Sequence, residues 1–86
     1  MKTGKHLETT YIEKSPTFRI YTLEFEELTI ECSGIVSKQY EQYYEDSEIE
    51  VEYIEFDDIE AFDREGDIVA INYEEADVII NQYYNK

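Results

Sequence analysis

Two side chains in this sequence could take part in covalent chemistry, Cys32 and His6, and each is the single residue of its type. A nucleophilic site needs both a nucleophile and a base within hydrogen-bond reach. Cys32 sits between Ile30 and Gly34 at an apolar position of an alternating run, which is the setting of a small buried thiol. His6 lies in "MKTGKHLE", a stretch without apolar periodicity and distant in pattern from Cys32. The 22 acids supply many carboxylate pairs, but acid–base work requires a cleft that splits two pKa values, and acids on an exposed strand have none. The three glycines form no phosphate-cradling loop. Calcium chemistry is suggested by Asp57, Asp58, Asp63, Glu65 and Asp67 in "DDIEAFDREGD", yet the acid spacing of an EF-hand loop with its twelfth-position Glu is missing. The expectation is a protein that is not an enzyme and holds no cofactor or metal.

What remains is charge. The segment "EIEVEYIEFDDIE", residues 48–60, places seven acids among thirteen residues with no base, interleaved with Ile49, Val51, Tyr53, Ile54, Phe56 and Ile59. A disordered acidic tail lacks such β-branched and aromatic residues, so the segment reads as a strand with a charged face. The net charge is −15, with +2 on residues 1–19 and −17 on the rest, and eleven acids lie between Lys38 and Arg64 without a base. Clustered charge of one sign opposes compaction, and it steers partners of the opposite sign. Nucleic acid and anionic lipid are repelled by it. No apolar run has membrane-spanning length, the N-terminus has no signal-like apolar region, and the lone cysteine suits a reducing, cytoplasmic compartment.

The elements that must position these charges follow from periodicity. Eighty-six residues make one domain, 1–86, with a loose terminus at 1–8. "TTYIEK" suits a short strand ended by Pro16. Tyr21, Leu23 and Phe25 alternate before Glu26-Glu27, and Leu28, Ile30 and Cys32 alternate after it, which predicts a hairpin with Thr22, Glu24, Glu26, Thr29 and Glu31 outward. "KQYEQYYEDS", residues 38–47, breaks the period and reads as a loop carrying Tyr40, Tyr43 and Tyr44. Residues 48–53 alternate with Glu48, Glu50 and Glu52 outward, and the phase slip at Tyr53-Ile54, after which Glu55 and Asp57 become the polar positions, predicts a β-bulge. "DREG" predicts a turn with Gly66 in the left-handed region.

Asn72 with Glu75 three residues later is a helix start, and Tyr73, Ala76, Ile80 and Tyr84 share a face, although Val78-Ile79-Ile80 also suits a strand. Tyr53, Tyr73 and Tyr84 read as core or half-core residues. The predicted class is α+β: an antiparallel meander of about four strands with a C-terminal helix packed on one face.

Acids two apart on a strand are about 6.6 Å apart and neighbouring strands about 4.8 Å apart. Duplex DNA carries one charge per ~3.4 Å of axis on each strand. An acidic sheet face therefore approaches the charge density of a phosphate backbone. In small size, extreme acidity and strand-borne Glu alternation across residues 20–84, the chain resembles the small phage-encoded DNA-mimic inhibitors: uracil-DNA glycosylase inhibitors, anti-restriction proteins and several anti-CRISPR proteins. The resemblance implies an inhibitor that occupies the nucleic-acid groove of a basic host protein in the bacterial cytoplasm, without binding nucleic acid itself, as a monomer or a dimer. The alternative is an acidic interaction module, such as an accessory or virion protein, that binds a basic partner without imitating DNA. Candidate contact residues are Glu24, Glu26, Glu31, Glu48, Glu50, Glu52, Glu55, Asp57 and Asp58, with Tyr40, Tyr43 and Tyr44 as possible anchors.

Overall fold

A computed structural model describes the backbone of residues 2–44 and 47–86 and the side chains of residues 2–40 and 49–86. Five antiparallel strands run in sequence order across one sheet: β1 (His6–Ser15), β2 (Phe18–Phe25), β3 (Leu28–Tyr44), β4 (Ser47–Asp63) and β5 (Ile68–Val69). Helix α1 (Tyr73–Tyr83) follows and packs on one face. Each strand is joined to the next by a short connection, so every neighbour in the sheet is also a neighbour in the chain.

The alternation predicted around Glu26-Glu27 is present, with Tyr21 opposite Cys32 and Leu23 opposite Ile30. These residues, with Phe25, Leu28, Ile59 and Ala61, form the core beneath Ala76 and Ile80 of α1. Two glutamates are poor turn formers by themselves, and this turn is held from outside. The Glu26 and Glu27 N–H groups donate to the Lys5 and Thr3 carbonyls, both at 2.9 Å, and Arg64 Nε donates to the Glu26 carbonyl at 2.8 Å. Gly66 has φ +89 in the turn after Asp63, whose Oδ1 accepts the N–H groups of Glu65 and Asp67. Asn72 caps α1, its side chain accepting from Glu74 and Glu75.

Three expectations are corrected. The loose terminus does not extend to residue 8. His6 opens β1, stacks on Tyr83 at 4.6 Å between ring centroids and bonds Thr9 Oγ1 at 2.7 Å, and Thr9 Oγ1 donates to the Tyr83 carbonyl at 2.8 Å. The Thr9 hydroxyl proton is thereby used, so His6 Nε2 must carry the hydrogen in its own bond to Thr9. Residues 38–44 are not a loop, because they continue β3 and pair with β4 as far as Tyr44 opposite Ser47.

The bulge is not at Tyr53-Ile54, where Ser37 faces Tyr53 and Val36 faces Ile54 in regular register. It lies five residues on, where Glu31 faces Glu60 and Ser33 faces Asp57, so that Asp58 and Ile59 together oppose Cys32. Asp58 takes φ 50 there, a left-handed conformation that Asp tolerates better than most residues.

Since β2 reaches only Ile35 of β3, the rest of the β3–β4 hairpin leaves the body as a two-stranded arm. The long axis of the molecule is 54 Å, against 23 and 21 Å across. At the root of the arm Gly34 lets the Tyr21 ring lie against the sheet. A Cβ on Gly34 would stand 2.8 Å from Tyr21 Cε2 and 3.2 Å from Ile54 Cγ2.

Candidate acidic interaction surface

The bulge decides which carboxylates lie together. On the body the helix-bearing face of β4 carries Ala61, Ile59 and Phe56, and the regular pairing beyond the bulge continues it through Ile54, Glu52 and Glu50. The open face carries Glu60, Asp57, Glu55, Tyr53, Val51 and Ile49. The expected row of Glu48, Glu50, Glu52 and Glu55 is therefore split, with Glu50 and Glu52 on one face and Glu55 on the other.

Glu50 and Glu52 are also neutralised within the chain. Lys38 Nζ is 3.5 Å from Glu50 Oε1, and Arg19 Nη1 donates to Glu52 Oε1 at 3.0 Å. Arg19 reaches over Gly34 from the start of β2, donates to the Tyr21 hydroxyl at 3.1 Å and lies 5.1 Å from the Tyr11 ring centroid. The bond to Tyr21, supported by Glu52 and opposed by burial, shifts its pKa upward. Glu26 is engaged too, since its Oε1 accepts the Lys5 N–H at 2.7 Å. Glu48 pairs with Gln42 through the backbone. The side chains of Glu48, Tyr43 and Tyr44 fall outside the described residues.

The open face is different. Glu24 on β2, Glu31 on β3 and Glu55, Asp57 and Glu60 on β4 are all exposed, and Glu31 stands directly opposite Glu60. Among the described residues, β2, β3 and β4 place no lysine or arginine on this face. The bulge adds Asp58, whose N–H donates to Asp57 Oδ1 at 2.9 Å and whose Oδ2 accepts from Ser33 Oγ at 3.5 Å. Asp57, Asp58 and Glu60, together with Asp77 and Tyr73 of α1, line a cleft of about 560 Å³ where β5 is too short to cover β4. Five of the candidates, Glu24, Glu31, Glu55, Asp57 and Asp58, thus share a face. Glu60 was missed, although its place opposite Glu31 follows once the bulge is put at Asp58.

The tyrosines divide likewise. Tyr40 is 70 % exposed on the arm opposite Glu50. Tyr53 and Tyr73, expected in or near the core, are 43 % and 66 % exposed, whereas Tyr84 packs on Tyr21 and Phe56. Burial, with a smaller contribution from the charge of Asp77, pushes the Cys32 thiol up to about 12, so at neutral pH it is a neutral core side chain. The cluster of Asp63, Glu65 and Asp67 is explained by its turn, where the Asp63 carboxylate accepts two backbone N–H groups. Among the described residues no helix is long and apolar enough to cross a membrane.

No family model, curated protein or solved structure matches this chain.

Proposed function

We propose that the protein is a DNA-mimic inhibitor whose open sheet face occupies the nucleic-acid groove of a basic DNA- or RNA-binding protein. The observation that carries this reading is the uncompensated array of Glu24, Glu31, Glu55, Asp57, Asp58 and Glu60 on strands whose bases, Arg19 and Lys38, are both on the opposite face. Backbone pairing fixes the strands that carry these residues, with direct neighbours about 5 to 7 Å apart at Cα, so the backbone needs no ordering on binding. Along β4 the array runs from Glu55 to Glu60, about 15 Å, which corresponds to about four or five base-pair steps at ~3.4 Å each. The cleft at Asp57, Asp58, Glu60 and Asp77 would take a lysine or arginine side chain from the groove wall.

The test is capture of the target from bacterial lysate at low salt, followed by competition with duplex DNA. Replacing Glu31, Asp57 and Glu60 with the corresponding amides should weaken binding severely and should reduce its salt dependence, while Glu50→Gln with Glu52→Gln should do much less. Failure of DNA to compete rejects mimicry.

A second reading rests on one observation. The open face of the arm carries Ile35, Ile49, Val51 and Tyr53, and Tyr40 stands exposed on its other face. An acidic interaction module would use this apolar arm as its anchor. It then predicts that Tyr53→Ala costs more affinity than the amide set, with mild salt dependence.

A further inference from the structure

We propose that the free edge of β1 pairs antiparallel with β1 of a second copy, on a two-fold axis through Tyr11, to make one continuous ten-stranded sheet. This inference is independent of what the acidic face binds.

The sheet ends on β1 at one side and on the two-residue β5 at the other. Beyond β5, the margin of β4 from residue 47 to residue 60 is guarded by its acids, and a second molecule of charge −15 would be repelled there. β1 is the reverse case. It is ten residues long, has no proline, and exposes Leu7, Tyr11 and Ile12 at 55, 53 and 60 %. Edge strands are usually protected by charge, proline, bulges or brevity. Here the irregularities lie at the ends, between His6 and Glu8 and between Glu13 and Ser15, leaving residues 8–13 in unbroken register with β2. β1 itself carries two acids and one base, Glu8, Glu13 and Lys14, far fewer acids than the margin of β4.

Self-complementarity sets the register. In a two-fold antiparallel pair centred on Tyr11, residue i meets residue 22 − i along the regular stretch, and Lys14, in the irregularity that follows Glu13, is brought beside Glu8 of the second copy, twice over by symmetry. Ile12 meets Thr10, and the two Tyr11 side chains meet at the axis on the helix-bearing face, each with Arg19 already beside it. A register shifted by two residues loses both ion pairs and sets like charges closer. The same centring keeps the two helices on one side of the joined sheet and the two acidic faces on the other.

Sedimentation equilibrium over a concentration series, in moderate salt that screens the repulsion between bodies, provides the test. The full-length protein should self-associate as a dimer. Lys14→Glu should weaken association by about tenfold or more, because each ion pair becomes a like-charge pair. Glu8→Lys should weaken it as well, although it brings the net charge of each copy from −15 to −13, and Glu8→Lys combined with Lys14→Glu should restore it, since general repulsion between copies would instead make Glu8→Lys strengthen association. Circular dichroism melts establish that each variant is folded. Tyr11→Cys should give a disulfide-linked dimer under oxidised glutathione, where directly paired residues lie within about 5.5 Å, and Glu13→Cys should not. A monomer at every concentration overturns the proposal. So does a dimer indifferent to Lys14→Glu, or one that the double reversal fails to restore.

Discussion

Arg19 and Glu52 are 33 residues apart in sequence and meet at 3.0 Å where the arm leaves the body. The pair is unequal, because the Arg19 side chain is 17 % exposed and that of Glu52 is 40 % exposed. Arg19 is held by Tyr21 and Tyr11 as well, and among the described residues its buried Nε has no partner. Its shape therefore matters more than its charge. Arg19→Lys should cost about 1–2 kcal/mol through the loss of the two Nη1 bonds and the ring contact, whereas Glu52→Gln should cost under about 1 kcal/mol because that carboxylate is half in water. Urea unfolding of the two variants checks the order, and equal costs would contradict it.

Like charges face each other at Glu31 and Glu60. Removing one by Glu31→Gln should stabilise the protein by a few tenths to about 1 kcal/mol at low salt. The melting temperature of the parent protein should rise with salt, and the advantage of the variant should shrink as it does, since screening acts within a Debye length of ~10 Å at 0.1 M. Calorimetry at two salt concentrations measures both.

The buried Cys32 thiol makes stability fall in alkali. Its folded-state pKa is raised to about 12, against about 8.5 in an unfolded chain. The folded state therefore keeps the proton that the unfolded state releases, and the stability so linked is complete below about pH 8.5 and is lost as pH rises towards about 12. Tyrosines also titrate in this range, so the readout is the difference between the parent and Cys32→Ala. That difference should narrow above about pH 9. Thiol reagents should modify Cys32 at neutral pH no faster than the protein opens.

The N-terminal segment should behave as part of the fold. His6→Ala removes the stack on Tyr83, the edge contact with Phe25 at 5.3 Å and the bond to Thr9, and should cost about 1–3 kcal/mol. Deleting residues 1–8 should cost more, because the Lys5 and Thr3 carbonyls that satisfy the Glu26-Glu27 turn go with it. Thermal melts that coincide with the parent would overturn both statements.

Local signals in the sequence were the dependable ones. The alternation on either side of Glu26-Glu27, the turn at Gly66 and the cap at Asn72 are each legible from residues within a few positions, although the Glu26-Glu27 turn is itself held by Thr3, Lys5 and Arg64. The phase change at Tyr53-Ile54 was real but had another cause. It marks where α1 stops covering the sheet, so the same face of β4 passes from Phe56 and Ile54 to Glu52 and Glu50 without a backbone irregularity. β3 changes at the same level, from Val36 to Lys38 and Tyr40. The true bulge was written in the three-residue spacing from Phe56 to Ile59, and the run of acids around it hid the signal. β1 was under-read because an edge strand exposed on both faces needs no strict alternation. The counter-ions of Glu50 and Glu52 come from other strands, and only the register could supply them.

The meander also orders events in time. Because each strand pairs with the one made just before it, hairpins can close over microseconds without long loop searches. The covering helix is a late arrival: the bond between Thr9 and the Tyr83 carbonyl closes a loop of 74 residues. A nascent chain would hold a paired sheet whose Tyr21, Leu23, Phe25 and Ile30 lie open to water until Ala76 and Ile80 emerge. That interval is when a sheet with a sticky first strand is most exposed to wrong partners. In such a chain the repulsion of the 19 acids that precede the helix would keep half-made copies apart until the last eleven-residue helix is in place.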